Sequence, residues 1–140
     1  MSMMTTQSAF DITIPVQSDR DVVSARQAGR TMAEAIGFSR TDRALLATAI
    51  SELARNIVRY AETGVIKLSR AEVGSRLGLC VEAEDKGPGI ADLESALLDG
   101  YSTGQSLGLG LPGTRRIVDV FEIQSAPGQG VQVKVIKWRL

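Results

Sequence analysis

The chain has 140 residues, 44% of them hydrophobic, with 16 basic and 16 acidic side chains. That is enough for one domain with its own core, spanning 1–140, and a formal net charge of zero gives no footprint for nucleic acid or an anionic membrane. The absence of histidine excludes Ser-His-Asp and Cys-His catalysis, His-ligated metal centres and a phosphohistidine intermediate, and the single cysteine, Cys80, excludes an internal disulfide. No stretch approaches the apolar length of a membrane span, and the start MSMMTTQSAF has neither a basic n-region nor an apolar h-region, so a cytoplasmic protein is expected.

Residues 1–7 read as a frayed start. Residues 9–16 alternate through Phe10, Ile12 and Ile14, the period of a strand, and Pro15 suits an edge position. Ser18 with Asp21 has the spacing of a capping box. It opens a helix to about Ile36, with Val22, Val23, Ala25, Ala28 and Met32 on its apolar side, and Gly37 stops it. Ser39 and Asp42 repeat the capping pattern before a long helix over 41–60. There Leu46, Ala49, Ile50, Leu53, Ile57 and Tyr60 form one stripe at about 100° per residue. Glu52, Asn56 and Arg59 form a narrow polar stripe at its edge. On this helix alone, ordinary solvated residues beside a core face account for them.

Residues 65–72 and 76–84 alternate as a hairpin about Val73-Gly74-Ser75, with Cys80 buried in the second strand. Residues 85–89 are a Gly/Pro-rich loop, 91–98 a short helix, and 99–107 a polar loop that is mobile by composition. A third main helix covers 109–119. Two strands, 120–125 and 131–140, close the chain around Ala126-Pro127-Gly128-Gln129-Gly130. Strands joined mostly by hairpins, with helices on one face, make a two-layer α+β sandwich with a mostly antiparallel, mixed sheet.

Three pieces carry chemistry. Asp85 ends a strand and precedes Gly87 and Gly89. A carboxylate there can accept a hydrogen bond from an exocyclic amine, and glycine lets the backbone approach a flat ring. Alone, the same residues make an ordinary turn. Gly108-Leu109-Gly110-Leu111 opens a helix, where unhindered N–H groups suit phosphate, although a plain helix start reads the same way. The spacing is neither a Walker A motif nor a dinucleotide fingerprint.

Together and in this order, Glu52-Leu53-Ala54-Arg55-Asn56, Asp85-Lys86-Gly87-Pro88-Gly89 and Gly108 to Leu111 resemble the N box and the two glycine boxes of the GHKL (Bergerat) ATP-binding, histidine-kinase-like ATPase domain. The resemblance covers nearly the whole chain. It implies a sheet covered on one face by three helices, with ATP between the layers under a lid at 91–107. It implies Glu52 as general base, Asn56 as Mg²⁺ ligand and Asp85 at the adenine amine. It implies Arg59, Gly87, Gly89, Thr103, Gly104, Gly108, Leu109 and Gly110 as nucleotide contacts. Where relatives have Gly-Thr at a late strand, this chain has Gly130-Val131, which puts the usual water-mediated adenine contact in question.

The short form without a histidine-bearing helix looks like the serine/threonine kinases of partner-switching systems. SELARNIVRYA and GLGLPGTRRIVDVFEIQS look most like the RsbT-type switch kinases of the stressosome. That branch implies STAS-domain proteins as substrates and scaffold, and a PP2C-type phosphatase activated after release. The alternatives are an anti-sigma factor kinase that sequesters a sigma factor, and a non-catalytic adaptor shaped by ATP.

Overall fold

The computed structural model describes residues 11–87, 111–125 and 128–140. The elements are β1 (Ile12–Val16), α1 (Asp19–Ile36), α2 (Arg40–Tyr60), β2 (Gly64–Val73), β3 (Arg76–Asp85), α3 (Leu111–Ile117), β4 (Val120–Ser125) and β5 (Val131–Trp138). The five strands form one sheet in the order β1-β2-β3-β5-β4. Each of the four described pairings is antiparallel. The expected α+β sandwich is therefore present, and no parallel pair occurs among the described residues.

Alternation along the strands decides which face is covered. Ile66 and Leu68 of β2, Leu79, Val81 and Ala83 of β3, and Val133 and Val135 of β5 are buried in one core. Leu46, Ile50, Leu53 and Ile57 of α2 meet them there, each no more than 2% exposed. Burial of such side chains is worth about 1.5–3 kcal/mol each, so α2 is the main lid on the sheet. The other face carries Lys67, Glu82, Glu84 and Lys134, which is why the sheet needs no second layer.

The helix ends are tied down locally. Ser39 Oγ accepts from Asp42 N–H at 3.1 Å and starts α2. At α1 the expected capping box is half made. Asp21 reaches back to the Gln17 N–H at 2.8 Å, but Ser18 makes no side-chain cap to the helix. Gly37, in the left-handed region at φ 102°, stops α1: its N–H reaches Glu34 and the Phe38 N–H reaches Ala33, a Schellman motif. The guanidinium of Arg139 then covers the Ile36 carbonyl at 2.9 Å.

Some expectations are corrected. Tyr60 does not share the buried stripe; it is 38% exposed, because α2 runs past the edge of the core. Val23 is 49% exposed, since it lies on the outer side of α1. Among the described residues the third helix covers Leu111–Ile117, so it ends two residues before the expected Asp119. The final strand stops at Trp138, whose N–H is taken by the Asp119 carboxylate at 2.7 Å. The expected helix over 91–98 and the loop over 99–107 lie outside the described residues.

Candidate functional site

Asp85 is the last residue of β3. Its register partner is Gly64, the first residue of β2. Gly64 lies directly beneath α2: a Cβ on it would come within 2.8 Å of Ile57 Cγ2 and 3.0 Å of Asp85 Cβ. The carboxylate thus stands where the sheet runs out below the C-terminal half of α2. Two backbone donors hold it there. Gly87 N–H donates to Asp85 Oδ1 at 2.9 Å, and Val131 N–H donates to the same oxygen at 3.2 Å.

The Val131 bond depends on Gly130. That residue adopts φ 78° and is packed so tightly that a Cβ would collide with the Asp85 carbonyl and lie 2.8 Å from Lys86 Cα. Only glycine satisfies both the left-handed backbone and the close approach. Ser125 Oγ donates to the Gly130 carbonyl at 2.9 Å and fixes the other side of the turn. Gly87 packs against the end of α2, where a Cβ would fall 2.6 Å from Ala61 Cβ. A cavity of about 670 Å³ opens at this end of the sheet, walled by Asp85, Lys86, Gly64 and Gly130 and, on the face turned away from the helices, by Glu84 and Gln132. That volume is in the range of small-molecule sites.

Glu52, Asn56 and Arg59 stand on α2 one helical turn apart and do not line this cavity. Glu52 and Asn56 are half-buried and Arg59 is exposed. Asn56 directly precedes Ile57, the residue over Gly64. Glu52 Oε1 is held by Arg55 Nη1 at 2.7 Å. Asn56 and Arg59 each make a further interaction. Of the expected site residues, the structure places Glu52, Asn56, Arg59, Asp85 and Gly87; Gly89, Thr103, Gly104, Gly108, Leu109 and Gly110 lie outside the described residues.

Two participants were not among the expected site residues. Val131 acts through its N–H, so the missing threonine side chain at that position does not leave Asp85 unsupported. The signal was the glycine just before a strand. Arg55 fixes Glu52, and its signal was the i,i+3 spacing on one helix.

The residues present fit a nucleotide. Asp85 keeps one oxygen on two backbone donors and can present its other to an exocyclic amine. The Asn56 amide oxygen suits a hard cation that keeps most of its waters. The titrating groups elsewhere belong to the opposite face of the sheet. Burial pushes the Cys80 thiol up, and burial, then the neighbouring Glu84 charge, pushes the Glu82 carboxyl up. Among the described residues, no helix is long and apolar enough to cross a membrane.

Comparison with known proteins agrees with this geometry. Residues 41–140 match the family described as histidine kinase-, DNA gyrase B-, and HSP90-like ATPase. The chain is 44% identical over 125 residues to the serine/threonine-protein kinase RsbT of Bacillus subtilis (strain 168), covering 89% of this chain and 94% of that protein. It is 28% identical over 97 residues to an anti-sigma F factor of Thermoanaerobacter sp. (strain X514), covering 65% of this chain and 66% of that one. Among solved structures, the catalytic domain of histidine kinase ThkA aligns with a TM-score of 0.52 at 16% identity, over 91% of this chain and 96% of that one. Full-length ShkA in complex with AMPPNP aligns at 0.53 and 19%, over 96% of this chain and 34% of that one. At those identities the likeness is one of fold.

Proposed function

The chain belongs to the histidine kinase-, DNA gyrase B- and HSP90-like ATPase family, and from that premise we propose that it is an ATP-dependent serine/threonine protein kinase of a partner switch. Its substrates in this reading are STAS-domain proteins, and after release it activates a PP2C-type phosphatase. The observation that carries the reading is the 44% identity along 94% of a serine/threonine-protein kinase.

The geometry supplies roles consistent with it. Asp85, oriented by Gly87 and Val131, accepts from the adenine amine. Mg·ATP supplies the phosphoryl group and neutralises its charge when bound. Asn56 would hold the metal, Arg59 would serve the phosphates, and Glu52, one turn away, would take the proton of the attacking hydroxyl. Phosphoryl transfer depends mostly on positioning and charge stabilisation, so a base is one contribution among several.

A second reading rests on a separate observation, the 28% identity to an anti-sigma F factor: a kinase that also sequesters a sigma factor. Two measurements test these. Incubation with a STAS-domain protein and labelled ATP gives label on the partner if the chain is a kinase, and none if it is a non-catalytic adaptor. Retention of a PP2C-type phosphatase, and not of a sigma factor, separates the two kinase readings.

A further inference from the structure

The outer surface of the α1–α2 pair carries a groove that the nucleotide site does not use. It consists of two adjoining depressions of about 400 and 340 Å³ that share Gln27 and Arg30. From Arg40 to Arg55 it follows α2 for about 22 Å at 1.5 Å per residue. Ala44 and Ala47 keep its floor low.

Its charge is unlike that of the chain. The whole sequence is balanced at zero, yet the groove is lined by five arginines (26, 30, 40, 43 and 55) against two glutamates. Both glutamates are already matched, Glu34 to Arg43 at 3.4 Å and Glu52 to Arg55 at 2.7 Å. Among the described residues, no carboxylate pairs with Arg26, Arg30 or Arg40. Ser51, only 4% exposed, adds a small side chain to the same floor.

Glu52, the base in the reading above, forms part of the same wall. We propose that the α1–α2 groove is the docking site for an acidic, extended segment of the protein substrate, laid along Arg40, Arg30 and Arg26 so that the substrate hydroxyl arrives beside Glu52. The role of Glu52 rests on the kinase reading; the docking itself does not. Positive charge strung along a shallow track suits a peptide carrying several carboxylates, whereas a single small anion would need converging donors.

The test uses the full chain and two fluorescein-labelled 12-residue peptides, one rich in Asp and Glu with a central Ser, the other with Asn and Gln in their place. Anisotropy is expected to show the acidic peptide binding at least about tenfold more tightly, weakening as salt rises. The Arg30→Glu/Arg40→Glu variant should lose about tenfold of that affinity and leave ATP affinity unchanged. Millimolar inorganic phosphate should not displace the peptide. With a STAS-domain substrate, the same variant should raise the KM for the protein and leave the KM for ATP alone. Equal binding of the two peptides, unchanged binding by the variant, or full displacement by phosphate overturns the proposal. Failure of the chain to phosphorylate any STAS-domain protein overturns the kinase reading instead, and the anisotropy result still decides the groove.

Discussion

Val131 donates its backbone N–H to Asp85 Oδ1 at 3.2 Å across 46 residues of sequence, and Gly87 donates to the same oxygen at 2.9 Å. This relationship makes Asp85→Asn informative. An amide has one oxygen. Turned toward Val131 and Gly87, it aims its NH₂ at the adenine amine; turned the other way, it aims the NH₂ at two N–H donors. Either way a donor faces a donor, a mismatch that costs about 1–3 kcal/mol. Calorimetry should show ATP binding weakened roughly tenfold to a hundredfold, and wild type preferring ATP to GTP. Equal wild-type affinity for the two nucleotides would remove the adenine role.

Gly130→Ala should be costly for two separate reasons, the φ of 78° and the collision with the Asp85 carbonyl. Left-handed backbone alone costs an ordinary residue about 1–3 kcal/mol. Gly74 is the control: it has φ 60° but open space around it. Urea denaturation should show Gly130→Ala losing more stability than Gly74→Ala, with ATP affinity falling only in the former. Similar losses at both positions would mean that the close approach to Asp85 contributes nothing.

Much of this architecture is legible from local patterning. The alternation through Ile66 and Leu68, and through Leu79 and Val81, reads directly as the core face of a hairpin, and the Ser39 cap reads from four residues. What is not legible lies in contacts between distant segments. The Arg139 guanidinium closes the end of α1 at Ile36, 103 residues away, and Asp119 ends β5 at Trp138. Tyr60 and Val23 fail the stripe reading because periodicity gives the angle of a side chain, not how far the core extends beneath it. At the site, the combination of Glu52, Asn56 and Asp85 carried the expectation, and the structure sets Asp85 on two backbone donors. The donor Val131 was not part of that expectation, because a backbone N–H leaves no side-chain signature and its only trace was the glycine before the strand.

Gly29 lies buried in α1 where a Cβ would collide with Ile50 Cδ1 of α2. Alanine in a helix interior normally gains about 1 kcal/mol over glycine, but overpacking a filled core costs about 1–3 kcal/mol. The expected net result for Gly29→Ala is destabilisation, because Ile50 is fully buried. Gly29→Ala/Ile50→Val removes the colliding methyl and should recover most of the loss. Chemical denaturation of both single variants and the double variant checks this. Simple additivity would show that the two residues do not meet.

Glu82 predicts a small pH dependence. Burial first, then Glu84, raises its carboxyl in the folded protein, against the opposing pull of Lys134 and Lys67. Ionisation is therefore harder in the folded state than in the unfolded one. The contribution is fully present below the unfolded pKa and is lost as pH rises through the folded value. Glu82→Gln should match wild type in acid and exceed it at neutral pH, by on the order of 0.5 kcal/mol or less at such a partly exposed position. Melting curves between about pH 4 and pH 8 measure the difference. A variant less stable than wild type at neutral pH would contradict the sign.

The catalytic reading turns on two residues one turn apart on α2. Glu52 is fixed by Arg55 at 2.7 Å, which holds the carboxylate on the side where α1 and α2 meet. Asn56 directly precedes Ile57, which lies over Gly64, the register partner of Asp85. If Asn56 ligates the metal on the phosphates, Glu52 is the nearest acid on its helix to an arriving hydroxyl. A general base contributes about 10²–10⁴-fold. Glu52→Ala should therefore keep ATP affinity within a few-fold and slow single-turnover transfer to a STAS-domain partner by about that factor. Asn56→Ala should behave differently, weakening nucleotide binding and transfer together, with the binding defect confined to conditions where Mg²⁺ is present. The two variants thus separate chemistry from metal binding. A Glu52→Ala protein that transfers phosphate at the wild-type rate under saturating ATP would leave Glu52 as a structural partner of Arg55 and move the base elsewhere.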